Sequence, residues 1–312
     1  MKKLLSFVIP AYNEEGCVDL LHAALDKLAQ QIADRYDCEF IIVENGSWDT
    51  TYEKLKSIRA RDARVKILKL SRNFMTDGGI TAGLHYAKGD AAVTMCADLE
   101  DPPEVVLEFL KKWEEGYQNV YGIINRRQGN WLRKFNSKIF YIILNKLTGN
   151  LIPRAVSDFR LIDRKVYQTV NRMDERTRMF RGIVAWTGFK SCGVVFNRGN
   201  RPHGESKAGT MLVLKLAFRG IFGFSVMPLR IATILGAALS TVSFIALIYQ
   251  MLKVLLFGVP FDGFGTLVCG IFLLFGCVFM ILGIMSEYIG MIFEEVKGRP
   301  NFIVEETVGF DV

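Results

Sequence analysis

Residues 4–15 read LLSFVIPAYNEE, an apolar run of strand length that passes after Ile9 into a polar loop. A second run of strand length is Glu39–Val43. Between the two runs, apolar residues recur every three or four positions, which is the stripe of an amphipathic helix. They are Val18, Leu21, Leu25, Leu28 and Ile32. A strand, a helix and a second strand in this order predict a unit with two parallel strands.

The same alternation continues to residue 116. Thr50 and Glu53 have the spacing of a capping box, which predicts a helix that runs to about Asp62. Pro103 and Gly116 bracket a further helix, because proline favours the first helical position and glycine follows the last turn. The other predicted elements are a strand Val65–Leu70, a helix near Thr76–Ala87 and a strand Ala91–Met95. We therefore predict an α/β fold with a doubly wound, mostly parallel sheet.

Three of the predicted strands are followed by polar loops, at residues 10–15, 44–49 and 96–103. In such sheets, ligands bind at the carboxyl ends of the strands. Asp98 and Glu100 in the third loop are two carboxylates that can share a divalent cation such as Mg²⁺ or Mn²⁺. The alternative is a solvated acidic turn in which Asp101 only caps the helix that starts at Pro103. No GxGxxG or GxxxxGK[ST] motif follows any predicted strand, which argues against a Rossmann cofactor or a P-loop.

Basic residues precede the apolar C-terminal part of the chain. They are Arg198, Arg201 and Lys207, with His203 and Ser206 between them. Such a segment is suited to hold phosphate at a bilayer surface. The alternative is a positive anchor that touches only lipid headgroups. Further upstream, Asp158 and Arg160 place a carboxylate and a guanidinium on one short segment.

The C-terminal third contains two segments without a charged residue, Ile231–Leu252 and Gly263–Ser286. Each is long enough to cross about 30 Å of hydrocarbon. Basic residues lie before the first segment and after the second, which predicts that both termini face the cytoplasm. Met211–Ser225 has the composition of a helix lying in the membrane interface and leading into the first span.

Composition and charge limit the class of protein. Half of the 312 residues are hydrophobic, which excludes a disordered chain. The net charge of +7 fits an anionic partner, and we expect a membrane surface or a phosphate rather than nucleic acid. The six cysteines form no CxxC pair, so we expect reduced thiols in a protein that faces the cytosol.

Short motifs occur in a fixed order over nearly the whole chain. They are Val8–Glu15, Arg72–Phe74, Ala82–Leu84, Gly89–Asp90, Ala97–Leu99, Asp101–Glu104, Asp158–Leu161, Gly204–Lys207 and Lys297–Pro300. Together they resemble the polyprenyl-phosphate glycosyltransferases of glycosyltransferase family 2, which include bactoprenol glucosyltransferases and dolichol-phosphate mannose synthases. The two apolar C-terminal segments are similar to the architecture of the bactoprenol glucosyltransferases in particular.

The resemblance implies a nucleotide-sugar-binding domain of the GT-A type that transfers a sugar with inversion onto a polyprenyl phosphate, undecaprenyl phosphate in bacteria. The donor that it favours is UDP-glucose, and UDP-GlcNAc, UDP-Gal and GDP-Man are alternatives. It further implies Mg²⁺ or Mn²⁺ as cofactor, the cytoplasmic leaflet of the cell membrane as location, and a homo-oligomer such as a tetramer. A polysaccharide synthase and a non-catalytic, membrane-anchored nucleotide-sugar-binding protein are the competing functions.

The resemblance also assigns roles to residues by position. The nucleotide sugar would contact Pro10, Tyr12, Asn13, Glu14, Glu44, Asn45, Ser47, Arg72 and Asp98. The metal would be bound by Asp98 and Glu100. The acceptor phosphate would be held by Arg201, Ser206 and Lys207. The catalytic group would comprise Asp98, Asp158, Arg160, Arg201 and Lys207.

Four places depart from the family pattern, namely Asn45, Met75-Thr76, Cys96 and Ala208, and two of them are the argument for the non-catalytic alternative. Cys96 and Asn45 stand where the family usually has aspartate. The predicted domains are a cytoplasmic catalytic domain (1–208), an interfacial helix (209–227), a two-helix transmembrane domain (228–293) and a cytoplasmic tail (294–312).

Overall fold

The computed structural model describes residues 2–125, 156–176, 178–199, 227–257 and 264–310. The first half of the described chain alternates strands with helices. Its elements are β1 (Lys3–Ala11), α1 (Val18–Ile32), β2 (Tyr36–Glu44), α2 (Thr51–Arg61), β3 (Val65–Leu70), α3 (Met75–Tyr86), β4 (Ala91–Thr94), a 3₁₀ turn (Pro103–Val105), α4 (Val106–Glu114) and β5 (Asn119–Ile124). The elements that follow are β6 (Val156–Asp163), α5 (Arg164–Asn171), α6 (Phe180–Trp186), β7 (Ser191–Phe196), α7 (Met227–Phe257), α8 (Phe264–Lys297) and β8 (Val304–Val308).

The strands form one eight-stranded sheet in the order β7-β5-β6-β4-β1-β2-β3-β8. The central strands β3, β2, β1 and β4 are parallel to one another, and β5 is parallel to β7. Strand β6 is antiparallel to both β4 and β5, and β8 is antiparallel to β3. The predicted α/β fold with a mostly parallel sheet is therefore confirmed, although antiparallel pairs occur on both sides of the parallel centre.

Burial of the predicted stripe explains why α1 lies on the sheet. All five of its apolar positions are at most 6% exposed. They join a core that includes Phe7, Phe40 and Phe109. On the sheet, α3 brings Gly83 so near Val8 and Val43 that a Cβ there would lie 2.3 Å from the Val8 side chain. Burial of apolar side chains between the helices and the sheet is the main stabilising contribution to such a domain.

The predicted caps of two helices turn out differently. Thr50 is the N-cap of α2, but it makes no side-chain capping bond. Its Oγ1 donates to Glu15 Oε2 at 2.5 Å, and Asp49 Oδ1 accepts from the Thr51 N–H instead. The capping-box prediction is wrong, because Glu15 from the loop after β1 accepts from the Thr50 N–H at 3.1 Å, the bond that Glu53 would accept in a capping box. Gly116 ends α4 as predicted, with a φ of +89° that favours glycine.

The helices α7 and α8 are long and apolar enough to cross a membrane. The qualifying stretches are Met227–Ala246 and Gly270–Lys297. Large side chains along both helices are exposed, for example Phe244 on α7 and Phe272 on α8. The predicted interfacial helix, 211–225, lies outside the described residues. After α8 the chain returns to the sheet, where β8 pairs with β3, an element that the sequence did not predict.

Candidate functional site

The loops after β1 and β2 are bonded to each other at the carboxyl edge of the sheet. The Asn13 N–H donates to Ser47 Oγ at 3.0 Å, and Asn13 Oδ1 accepts from the Trp48 N–H at 3.0 Å. The Glu14 N–H donates to Thr51 Oγ1 at 2.9 Å. The sequence placed these loops at one edge, and the structure brings them into contact there.

Backbone strain is concentrated at the same edge. Among the described residues, the non-glycine positions with positive φ are Asn13 (53°), Met75 (62°) and Leu99 (57°). Asn13 follows β1, Met75 follows the turn after β3, and Leu99 lies in the loop after β4. Such conformations cost about 1–3 kcal/mol each and are enriched at functional sites. Their clustering marks this edge as the candidate site independently of any motif.

Glu44, the last residue of β2, is 1% exposed, and only one of its two carboxylate oxygens has a hydrogen-bond partner among the described residues. Its Oε1 accepts from the Ser47 N–H at 2.5 Å. Its Oε2 is buried and has no hydrogen-bond partner among the described residues. A buried carboxylate oxygen without a donor is unfavourable. It can therefore serve as the acceptor for an N–H group that a ligand brings.

The side chains near Glu44 differ in how far they are buried and in what they contact. Asn45 is 3% exposed and is bonded to the turn after β3 on both ends of its carboxamide. Arg72 in that turn is exposed, and its guanidinium carbon lies 4.2 Å from the centre of the Phe74 ring. Pro10 and Tyr12, the other predicted nucleotide contacts, are half-buried at the end of β1.

The loop after β4 holds the two carboxylates that the sequence assigned to a metal. Asp98 is 6% exposed, and its Oδ1 accepts from the Glu100 N–H at 3.2 Å. Glu100 Oε2 lies 2.9 Å from Arg198 Nη1. Arg198 Nε also donates to Asp101 Oδ1 at 3.2 Å, and the Gly199 N–H donates to the Glu100 carbonyl at 2.9 Å. The end of β7 is thus fastened to this loop.

Asp101 has a different role from the cap that the alternative reading proposed. It is 1% exposed and pairs with Arg198, and the helix that follows has no side-chain cap. Burial raises the pKa of Asp101 to about 6, although Arg198 opposes this shift. The turn is therefore not a solvated acidic turn. No local pattern of residues indicates this pair, because its partners lie 97 residues apart.

Cys96 lies among the acidic residues of this edge. Burial raises the pKa of its thiol well above the ordinary value, and the charges of Asp101, Asp98 and Asp158 raise it further. A neutral thiol is a poor ligand for Mg²⁺, which prefers oxygen. Asp98 and Glu100 are then the oxygen ligands that this loop offers.

These donors fit a cation that is shared with a substrate. The described residues contain no group of three or more His, Cys, Asp or Glu side chains that could hold a metal by themselves. Mg²⁺ is commonly bound through one or two carboxylates together with substrate phosphates and water. Two carboxylates two residues apart match that pattern.

Asp158 on β6 is paired with an arginine that the sequence analysis missed. Arg181 Nη2 donates to Asp158 Oδ2 at 2.5 Å, and Arg181 Nε donates to Asp158 Oδ1 at 3.2 Å. This is the two-pronged geometry that suits a guanidinium and a carboxylate. The Asp158 carbonyl also accepts from Thr94 Oγ1 on β4 at 2.5 Å.

Arg160, which the resemblance assigns to the catalytic group, is 1% exposed. It donates from Nη2 to the Ser157 carbonyl at 3.0 Å, and its Nε is buried without a partner among the described residues. Burial lowers its pKa to about 10, which still leaves it charged at neutral pH. In this structure the guanidinium lies inside the domain, 5.2 Å from the centre of the Phe180 ring. The predicted acceptor residues Arg201, Ser206 and Lys207 lie outside the described residues.

Comparison with known proteins defines the class of enzyme. The sequence profile of glycosyl transferase family 2 matches residues 6–170. An uncharacterized glycosyltransferase of Synechocystis sp. is 38% identical over 308 residues, covering 98% of this chain and 96% of its own. The bactoprenol glucosyl transferase of Shigella phage SfII is 32% identical over 304 residues, with 97% and 98% coverage. The chain belongs to glycosyl transferase family 2, and it is a glycosyltransferase.

More distant similarity extends to solved structures. The TarS 1–349 fragment of S. aureus, in complex with UDP-GlcNAc, has a TM-score of 0.45 and 16% identity, and the match covers 71% of this chain and 67% of that chain. Mannosyl-3-phosphoglycerate synthase from Rubrobacter xylanophilus has a TM-score of 0.47 and 15% identity, with 70% and 71% coverage.

Proposed function

We propose that this protein transfers a sugar onto polyprenyl phosphate at the cytoplasmic face of the cell membrane. The donor that we favour is UDP-glucose. The observation that carries the proposal is that two polar features lie at the carboxyl edge of the sheet. They are Glu44 Oε2, which has no hydrogen-bond partner among the described residues, and the carboxylates of Asp98 and Glu100. The relatives named bactoprenol glucosyl transferase match the chain along nearly its whole length, apolar helices included. UDP-GlcNAc, UDP-Gal and GDP-Man remain alternative donors.

Glu44 supports a donor whose base carries an N–H group. Uracil has one ring N–H beside its two carbonyls, and Glu44 Oε2 is an acceptor in need of such a donor. Pro10, Tyr12, Asn13, Glu14 and Ser47 belong to the two loops that flank this oxygen, and we assign them to the nucleoside. Arg72, exposed at the same edge, is assigned to the diphosphate.

Asp98 and Glu100 would hold Mg²⁺ or Mn²⁺, which supplies positive charge against the diphosphate as it leaves. The reaction needs little else from the protein. An oxygen of the acceptor phosphate attacks the anomeric carbon, and the bond from that carbon to the diphosphate oxygen breaks with its electron pair. The phosphate is already an anion at neutral pH, so no side chain has to remove a proton. Positioning and neutralisation of charge are the contributions required.

The acceptor is assigned to Arg201, Ser206 and Lys207, which come after β7 in the sequence. Support comes from Arg198 and Gly199, which precede them in the sequence and contact Glu100 and Asp101 of the metal loop. Asp158, held by Arg181, belongs to the same assignment. Arg160 stays in the catalytic group as a buried charged residue, not as one that is exposed to ligand.

Membrane attachment is proposed through α7 and α8, with both termini in the cytoplasm. Strand β8 follows α8 and pairs with β3 of the sheet that precedes α7. Both ends of the helical pair therefore return to one domain, which requires that they lie on the same side of a membrane. Basic residues on that side, such as Arg230 and Lys297, favour the cytoplasm. The domain limits given above and the homo-oligomer belong to the same proposal.

The test is a transfer assay with the full-length chain in membranes. Radiolabelled UDP-glucose, UDP-GlcNAc, UDP-Gal and GDP-Man are each supplied with undecaprenyl phosphate. We expect one donor to give a lipid-linked monosaccharide, whereas a polymer would indicate a polysaccharide synthase and no product a binding protein. Asp98→Asn, or EDTA, should lower transfer by about two to three orders of magnitude. Full activity in EDTA would reject the metal role.

A further inference from the structure

The carboxamide of Asn45 joins two loops of the candidate site. Its Nδ2 donates to the Met75 carbonyl at 2.9 Å, and its Oδ1 accepts from the Phe74 N–H at 2.9 Å. Asn45 is 3% exposed, so these bonds are sheltered from competing water. A carboxylate in the same place could accept from Phe74, but it could not donate to Met75. The position therefore specifies an amide.

The turn that Asn45 holds is both strained and crowded. Met75 has a φ of 62°, a conformation that side chains other than glycine seldom adopt, and Asn73 Oδ1 accepts from its N–H at 2.7 Å. The turn also packs against Gly46, where a Cβ would lie 2.6 Å from the Arg72 carbonyl carbon. The loop after β2 and the turn after β3 thus form one unit, with Asn45 as its polar link.

Arg72 is an exposed, positively charged member of this unit. Its guanidinium lies over the Phe74 ring, and the backbone N–H of Phe74 is one of the two groups that Asn45 holds. The backbone conformation at residues 72–75 therefore determines where the Arg72 charge lies at the sheet edge. We propose that Asn45 is a positioning residue for the donor site, which fixes the Arg72–Met75 turn so that Arg72 meets the nucleoside diphosphate.

This inference rests on the proposed function, and it gives the departure at Asn45 a reason. An asparagine in place of aspartate is then a requirement of the Met75 turn and not a sign of a decayed site. Asn45 would act on the donor through Arg72, without touching the reacting atoms.

The experiment measures UDP binding by calorimetry, in Mg²⁺ and with the full-length chain in detergent. Asn45→Asp keeps the size of the side chain but removes the donor to Met75, and we expect UDP to bind about tenfold more weakly. Asn171→Asp is the matched control. Asn171 Nδ2 also donates to a backbone carbonyl, that of Leu84, near the other end of α3, and this variant should bind UDP as the wild type does.

A double substitution separates positioning from a general loss of stability. In the Arg72→Ala background, Asn45→Asp should weaken UDP binding no further, because the group through which it acts is gone. An additive loss would overturn the inference, and so would wild-type affinity in the single Asn45→Asp variant. If Asn45→Asp does not fold, Asn45→Ala and Asn171→Ala take the place of the aspartate variants with the same criteria.

The two levels of proposal fail in different ways. A wild-type chain that binds neither UDP nor GDP would overturn the proposed function together with this inference. A wild-type chain that binds UDP, beside an Asn45→Asp variant that binds it equally well, would overturn the inference alone.

Discussion

Removing the Arg181 side chain should destabilise the domain and slow sugar transfer. Arg181 makes two bonds to Asp158 and a third, at 3.3 Å, to the Val156 carbonyl. The side chains of Arg181 and Asp158 are 30% and 19% exposed, so the pair is neither fully buried nor a surface pair. Arg181→Ala leaves the Asp158 carboxylate mostly buried without its guanidinium.

The magnitude follows from that intermediate burial. Hydrogen bonds to charged groups contribute about 1.5–3 kcal/mol, whereas exposed ion pairs contribute about 0–1 kcal/mol. We expect a loss of about 1.5–3 kcal/mol in the free energy of unfolding. For a domain of roughly 200 residues this lowers the Tm by about 3–10 °C. Transfer should fall by about tenfold, because Asp158 loses its fixed orientation while Thr94 still holds its backbone.

The assay is thermal unfolding at a fixed scan rate, followed by transfer kinetics well below the lower Tm. Arg181→Lys should give an intermediate result, because it keeps the charge and loses the planar fork. Arg172→Ala, at an exposed position, is the control and should change the Tm by less than about 1 °C. An Arg181→Ala chain with unchanged Tm and unchanged transfer would refute the reasoning.

Three further predictions follow from other parts of the chain. Glu44→Gln should weaken UDP binding by about tenfold or more without lowering the Tm, because an amide N–H replaces an unpartnered buried acceptor; unchanged affinity would remove Glu44 from the nucleoside site. The raised pKa of Asp101, about 6 against an ordinary 3.8, means that the folded state binds its proton more tightly than the unfolded state. Stability in EDTA should therefore fall as pH rises from about 4 to about 6, and urea titrations of Asp101→Asn should lack that part of the slope. A reporter active only outside the cytoplasm should be silent at Val312 and active near Gly258, and the reverse pattern would contradict the proposed topology.

Local patterns predicted the centre of the fold well. The strand Val65–Leu70 has the predicted bounds, and the five-residue stripe of α1 is buried as expected. The carboxyl-edge location of the polar loops followed from the alternation of strands and helices. The capping box at Thr50 failed because Glu15, from another loop, accepts from the Thr50 N–H in place of Glu53.

Long-range contacts were not accessible in the same way. The Asp158–Arg181 and Asp101–Arg198 pairs join residues that are 23 and 97 positions apart. The first depends on how α6 packs against β6 and the second on where β7 lies in the sheet, and no short motif encodes either arrangement. Strand β8 is a third case. It pairs with β3, and Lys69 donates to Glu305, which lies 236 positions later in the sequence.

By itself, the sequence determined the α/β class and the edge of the sheet at which the polar loops lie, because strand and helix periodicities and strand-end loops are local properties of the chain. Only the tertiary structure decided which polar side chains are buried and which have hydrogen-bond partners. It buried Arg160, paired Asp158 with Arg181 and Asp101 with Arg198, and bonded Asn45 to the Met75 turn. Among the described residues, it left Glu44 Oε2 without a donor. The physical reason is that hydrogen bonding and burial depend on neighbours brought together by folding, which the order of residues specifies only through the whole packed sheet.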